Sequence, residues 1–175
     1  LASYGGATAT DNCTEGADLT WTNNFDGMSN LCGATGAATV TFTVEDEHGN
    51  TSSTTATFTI KDETNPSMDT AASNETVECD GFGNTAALNV WLNSNGGASA
   101  SDACSNVTWS NDFVELSDGC GSTGSATVTF TATDDCGNAT STTATFTIED
   151  TEFPSMDHAS DLTVECDGLG NQSDF

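Results

Sequence analysis

Two ten-residue stretches of the chain, IKDETNPSMD at 60–69 and IEDTEFPSMD at 148–157, gather carboxylates around a single proline. The first offers Asp62, Glu63 and Asp69 and the second Asp150, Glu152 and Asp157, each a short run of oxygen donors beside a ring that keeps the chain extended. A third acidic word, DDCGN at 134–138, supplies Asp134 and Asp135 with Asn138, and EDEHGN at 45–50 supplies Asp46 and Glu47. Carboxylates brought this close repel one another unless a hard cation sits among them. The expected assembly brings Asp134, Asp135 and either Asn138 or Asp102 toward Asp62, Glu63 and Asp69, with calcium as the ion. Asp46 and Glu47 would serve the preceding junction of the same kind, and Asp150, Glu152 and Asp157 stand at the following one. Asp, Asn and Gly are also what β-turns select, so solvated turns are the competing reading of all these words.

Other chemistries find few tools. A Ser or Cys nucleophile needs a base, and His48 and His158 are the only histidines, one in an expected turn and one just after a linker. Paired carboxylates for glycoside cleavage can be picked from 27 acids, but no aromatic sugar platform accompanies them. Zinc is disfavoured because the seven cysteines include no close C-x-x-C pair. No enzyme is expected. Lys61 is the one basic residue against those 27 acids, so the formal charge of −26 excludes nucleic acid and anionic membranes as partners and favours cations. Seven Cys in a Gly- and Thr-rich chain of 175 residues point to an oxidising, extracellular setting. No apolar run is long enough to insert into a bilayer, and without an initiating Met or a signal peptide the chain reads as a processed or excised piece.

The elements that would position these acids recur. TFTVEDEHGNTSSTTATFTIKDETNPSMD at 41–69 lies over TFTATDDCGNATSTTATFTIEDTEFPSMD at 129–157 at an offset of 88 without a gap, and TVECDG at 76 returns at 163, an offset of 87. A period of about 88 residues is the size of one small β-sandwich domain. Alternation predicts the strands: Val40, Phe42 and Val44 between threonines, Ala56, Phe58 and Ile60 likewise, and Val128, Phe130, Ala132, Ala144, Phe146 and Ile148 in the second copy. Leu19 with Trp21 and Val107 with Trp109 mark an aromatic strand, and Val77 with Cys79 and Val164 with Cys166 a leading one. Leu88, Trp91 and Leu92 at i, i+3 and i+4, followed by Gly96-Gly97, predict one short helix. Residues 65–152 then form a complete repeat, 1–64 one lacking its leading strand, and 153–175 the leading strand of the next. The fold class is all-β, built of tandem repeats with one short helix each.

The words TVECDG, GCG-x-TG-x-ATVTFTA-x-DDCGN and STTATFTIED resemble hyalin-repeat and immunoglobulin-like modules of giant surface proteins that Bacteroidota export by type IX secretion. The resemblance covers the whole chain and implies immunoglobulin-like sandwiches in tandem. It implies two functions of different class: the shaft of an extracellular filament or surface fibre, including predatory grappling appendages, or an adhesin module that recognises glycan, ice or a cell. Near-identical copies without a distinctive aromatic pocket favour the shaft. The acidic linkers are similar in arrangement to the calcium junctions of cadherins, though not residue by residue. Four cysteines in the complete repeat allow three pairings. In the immunoglobulin-like layout, Cys104 is expected to pair with Cys136 and Cys79 with Cys120. Cys32 is then expected to pair with a residue equivalent to Cys166 in the preceding unit, and Cys13 to be a free thiol. The implied partners are further copies of the same repeats, continuous in one polypeptide or joined by a donated strand, and bundled laterally.

Overall fold

The computed structural model describes residues 4–166 and 168. Strands account for most of its regular structure. β1 (Thr20–Asn23), β2 (Gly36–Glu45) and β3 (Thr51–Ile60) form an antiparallel sheet in the order β1-β2-β3. A four-stranded sheet has the order β5-β9-β8-β7, from β5 (Glu75–Glu78), β7 (Val107–Asn111), β8 (Gly124–Asp134) and β9 (Ala139–Glu149). β4 (Ser67–Thr70) pairs separately with β6 (Ser99–Ser101). The one α-helix among the described residues, α1 (Thr85–Asn93), lies where the i, i+3, i+4 pattern predicts it.

The two antiparallel meanders share one register. Gly36 faces Ile60 as Gly124 faces Ile148, and Thr20 faces Glu45 as Thr108 faces Thr133, residue for residue 88 apart. Cross-strand hydroxyl pairs repeat as well, Thr39 to Thr57 and Thr127 to Thr145, both at 2.9 Å. The period-2 alternation causes this: β-branched threonines fill the wetter face, and apolar residues turn toward the core.

What covers the apolar face differs between the two. In the second meander Val128, Phe130, Ala144, Phe146 and Ile148 are buried under Leu88 and Trp91 of α1, with the Trp91 ring edge-on to Phe130 at 5.2 Å. The indole N–H donates to Ser73 O at 3.1 Å, so burial leaves no polar atom of Trp91 unpaired. β5 runs parallel along β9, Glu75 opposite Phe146 and Val77 opposite Ile148. Asn84, in the left-handed region at φ 50°, ties β5 to the helix start through its amide to Glu78 O at 2.8 Å. The first meander has only Ala38, Val40 and Phe42 buried, with Trp21 and Ala56 against them. Phe58 and Ile60 are 55% and 39% exposed, while their equivalents Phe146 and Ile148 are at 0% and 3%. No helix among the described residues is long and apolar enough to cross a membrane.

Candidate functional site

Three loops and a linker meet between the meanders. Two of the loops are shaped by an aspartate that accepts hydrogen bonds from the backbone just after it, the local chemistry that makes Asp a turn residue. Asp134 Oδ1 accepts from Cys136 N and Asn138 N at 2.8 Å each, and Oδ2 from the Asn138 amide at 2.7 Å. Asp102 Oδ1 accepts from Cys104 N at 2.8 Å and Ser105 N at 3.0 Å. The third loop closes on Thr35, whose hydroxyl donates to Cys32 O at 2.6 Å. Its Gly33 has φ 54°, and a Cβ there would meet Cys104 O at 2.5 Å, so close backbone approach requires glycine.

These loops are joined covalently and by hydrogen bonds. Cys32 and Cys136 form a disulfide with a Cα–Cα distance of 5.1 Å, closing a sequence separation of 104 residues. Ala34 N donates to Cys104 O at 2.7 Å, and the Asn138 amide reaches Asp62 O in the linker at 3.3 Å. Asp135 N donates to Ser105 Oγ at 3.3 Å and its carboxylate accepts from Asn106 N at 3.4 Å, which locks the two loops of the second meander together.

Within this junction one ligand atom each of Asp62, Asp102 and Cys104 lies within 4.8 Å of the others. Asp62 Oδ1 accepts from Thr64 N at 3.2 Å, but Oδ2 is buried and has no hydrogen-bond partner. A buried carboxylate oxygen without a donor, beside a second carboxylate, carries a desolvation cost that a cation would offset. Burial pushes the Cys104 thiol above its ordinary pKa, and the negative charges of Asp62, Asp102 and Asp134 push it the same way. The donor set therefore suits a hard cation through its two carboxylates, while the neutral thiol adds nothing for such an ion.

The structure brings only part of the expected acidic set together. Asp62 and Asp102 meet. Asp134 reaches the junction, but both its oxygens are taken by the turn it staples; burial alone would raise its pKa, and the Asn138 and backbone donors outweigh that and lower it. Asp46 staples the equivalent turn in the same way, through His48 N, Asn50 N and the Asn50 amide, and the Asn50 side chain leads in holding its pKa down. Glu63 is exposed and pairs with Lys61 at 3.7 Å. Asp69 accepts from Ser101 Oγ at 3.0 Å, and Glu47 is exposed. Asp150 repeats the Asp62 turn by accepting from Glu152 N at 3.2 Å, while Glu152 and Asp157 are exposed.

The cysteine pairing differs from the expected one. Cys136 is bonded to Cys32, not to Cys104, and Cys79 and Cys120 are thiols rather than a pair. Cys32 thus finds its partner in the following meander and needs no Cys166-like residue from a preceding unit; Cys166 itself is an exposed thiol, as is Cys13. The physical reason is the meeting of loops: the Cys32 loop at the far end of the first meander abuts the Cys136 loop at the near end of the second, so the shortest bridge crosses between them. Sequence reasoning also missed Cys104 as a member of the acidic cluster. The spacing Asp102-Ala-Cys104 carried a signal, because an aspartate that caps the amide two residues on holds that residue beside its own carboxylate. No protein-family model and no curated protein matches the chain.

Proposed function

We propose that the chain is a structural segment of a long extracellular filament or cell-surface fibre, the shaft of an adhesive or grappling-type appendage. In this reading immunoglobulin-like repeats of about 88 residues, similar to hyalin-repeat modules of type IX-secreted surface proteins, follow one another and are stiffened where they meet. Its partners are further copies of the same repeats. The observation that carries the reading is the Cys32–Cys136 bond, which ties two meanders of identical register loop to loop. A ligand-binding module has no need to fix the angle between its units, whereas a shaft does. The disulfide is compatible with an extracellular location.

Calcium is the second stiffening element of this proposal, held by Asp62 and Asp102, which belong to the linker and to a loop of the following unit. Bound there it supplies the positive charge that offsets their repulsion and gives Asp62 Oδ2 a partner. Asp134 and Asp46 serve by shaping their turns. The test measures unfolding with calcium and with chelator, and maps by peptide mass the rate at which each thiol is alkylated. At a calcium concentration about 100 times Kd the folded state gains about 2.7 kcal/mol. Calcium should also change the alkylation rate of Cys104 specifically, because its sulfur lies within 4.8 Å of the Asp62 and Asp102 ligand atoms. An unchanged unfolding midpoint together with an unchanged Cys104 rate would remove calcium from the proposal.

A further inference from the structure

We propose that the junction site also binds zinc, a borderline-soft divalent cation, through Cys104 Sγ together with the carboxylates of Asp62 and Asp102. The inference deepens the calcium reading and rests on it: both ions use the same two carboxylates, and only zinc also takes the sulfur. Among the described residues these three are the one group of His, Cys, Asp or Glu side chains whose ligand atoms converge, all within 4.8 Å of one another. Three atoms so spaced share a centre no more than about 2.8 Å from each, and zinc bonds oxygen at about 2.0–2.2 Å and sulfur at about 2.3 Å, so about half an ångström of side-chain movement closes the site. Two carboxylates and a thiol in proximity do not by themselves make a metal site. The further observation is Asp62 Oδ2, which is buried and has no hydrogen-bond partner, a state that a bound cation resolves.

The surroundings suit a metal with a sulfur ligand. Backbone donors hold one oxygen of each carboxylate: Asp62 Oδ1 accepts from Thr64 N at 3.2 Å, and Asp102 Oδ1 from Cys104 N at 2.8 Å and Ser105 N at 3.0 Å. Such support fixes the plane of a ligating group and leaves its other oxygen for the ion. Cys104 is a half-buried thiol in a junction whose disulfide passes it by, since Cys32 is bonded to Cys136. A sulfur kept between two carboxylates serves neither the turn nor the bridge; it adds a ligand that zinc takes and calcium, which prefers oxygen, does not. The want of a C-x-x-C pair in the sequence is no obstacle, because the ligands come from two separate segments, the linker and the loop of the following unit. Three protein ligands leave a fourth tetrahedral position for water. Asp102 and Cys104 also line an open groove of ≈ 600 Å³ with Leu31, Asn106 and Asp135, by which ion and water reach them. On binding, the sulfur gives an electron pair to zinc and its proton passes to water, with no change of oxidation state. Zinc then ties the linker to the following unit at the seam that the disulfide crosses.

The test adds zinc, or cobalt(II) as its coloured substitute, to the full chain with the Cys32–Cys136 bond intact, in buffer free of thiols. Peptide mass mapping should show one equivalent of zinc slowing alkylation of Cys104 at least about tenfold, with Cys13, Cys79, Cys120 and Cys166 changed by less than about twofold. Cobalt should give a sulfur-to-metal charge-transfer band that Cys104→Ser abolishes. The variant keeps the backbone hydrogen bonds of residue 104, so its metal-free melting curve should match wild type. Its zinc affinity should fall at least about tenfold while its calcium affinity holds within about twofold, whereas Asp62→Asn should weaken both ions. Zinc that slows all the thiols alike, or a cobalt band that survives Cys104→Ser, marks adventitious binding to other thiols and overturns the proposal. An unchanged Cys104 rate in wild type overturns it too, and that reading stands even where the variant fails to fold. Stabilisation by calcium with no effect of zinc at Cys104 removes zinc alone; no response to either ion removes both, so the two readings fail separately.

Discussion

Replacing Cys136 by histidine isolates the contribution of the junction disulfide with little other disturbance. The first meander already carries His48 at the equivalent position, and its turn keeps the hydrogen bonds of the second: Asp46 accepts from His48 N and Asn50 N at 2.8 Å, as Asp134 accepts from Cys136 N and Asn138 N. Cys136→His, combined with Cys32→Ser to remove the stranded thiol, therefore breaks the bond and leaves the turn. The bond closes a separation of 104 residues, and the chain-entropy relation puts the constraint on the unfolded state at about 4.7 kcal/mol for a loop of that size. That figure applies when both meanders unfold together. If they unfold separately, the constraint appears only in the second transition, because the first leaves the loop partly ordered. Urea unfolding followed by tryptophan fluorescence reads both cases, since Trp21 lies in one meander, Trp109 lies in the other and Trp91 packs on that other from α1. The oxidised variant should unfold at lower urea than oxidised wild type, by the equivalent of about 3–5 kcal/mol, and wild type in reductant should coincide with the variant. Oxidised wild type and variant that unfold at the same urea concentration would refute the junction role of the bond.

Two further outcomes follow from the same contacts. Phe146→Ala should cost about 3–5 kcal/mol, because the ring is fully buried against Trp91, whereas Phe58→Ala, at a ring 55% exposed, should cost under about 1 kcal/mol; paired urea unfolding measurements separate the two. Acid should destabilise the fold through its turn staples. Asp46 and Asp134, together with Asp80 and Asp112, have pKa values below the ordinary carboxylate value when folded, so the stability they confer is complete above that value and is lost as pH falls through the folded ones. The melting temperature should hold from neutrality to about pH 5 and drop below about pH 4, with Asp134→Asn flattening part of that drop. A melting temperature independent of pH down to about 2.5 would contradict it.

The strands were legible because alternation of threonine with apolar residues is strict, and the 88-residue offset carried the register of one meander onto the other. The helix was legible from Leu88, Trp91 and Leu92. The parallel seat of β5 on β9 was not, since Thr76 and Val77 show an extended segment but no local pattern names a partner 70 residues away. β4 and β6 escaped for a different reason: Ser-Met-Asp-Thr and Ser-Ala-Ser lack the apolar period that marks a strand. In the acidic words both readings hold, at different residues. Asp134 and Asp46 behave as turn formers, their oxygens saturated by the Asn four residues on, while Asp62 keeps an oxygen free of donors beside Asp102. The distinguishing signal is the Asn of D-x-x-G-N, which Asp62 lacks.

The disulfide shows why repeats are read more easily for what is equivalent than for what is adjacent. Alignment makes Cys32 equivalent to Cys120 and sets His48 against Cys136, and a search for pairs inside one repeat then joins cysteines that share a unit. The fold instead ends one meander in the Cys32 loop and begins the next with the Cys136 loop, so the bond falls between units. The same geometry accounts for His48. A cysteine there would find its partner only in the Cys120 loop of a preceding unit. In the proposed array, a junction with histidine in that place would have no equivalent of the Cys32–Cys136 bond. Such a junction would rely on the other contacts that cross it, of the kind that Ala34 N makes to Cys104 O and the Asn138 amide to Asp62 O.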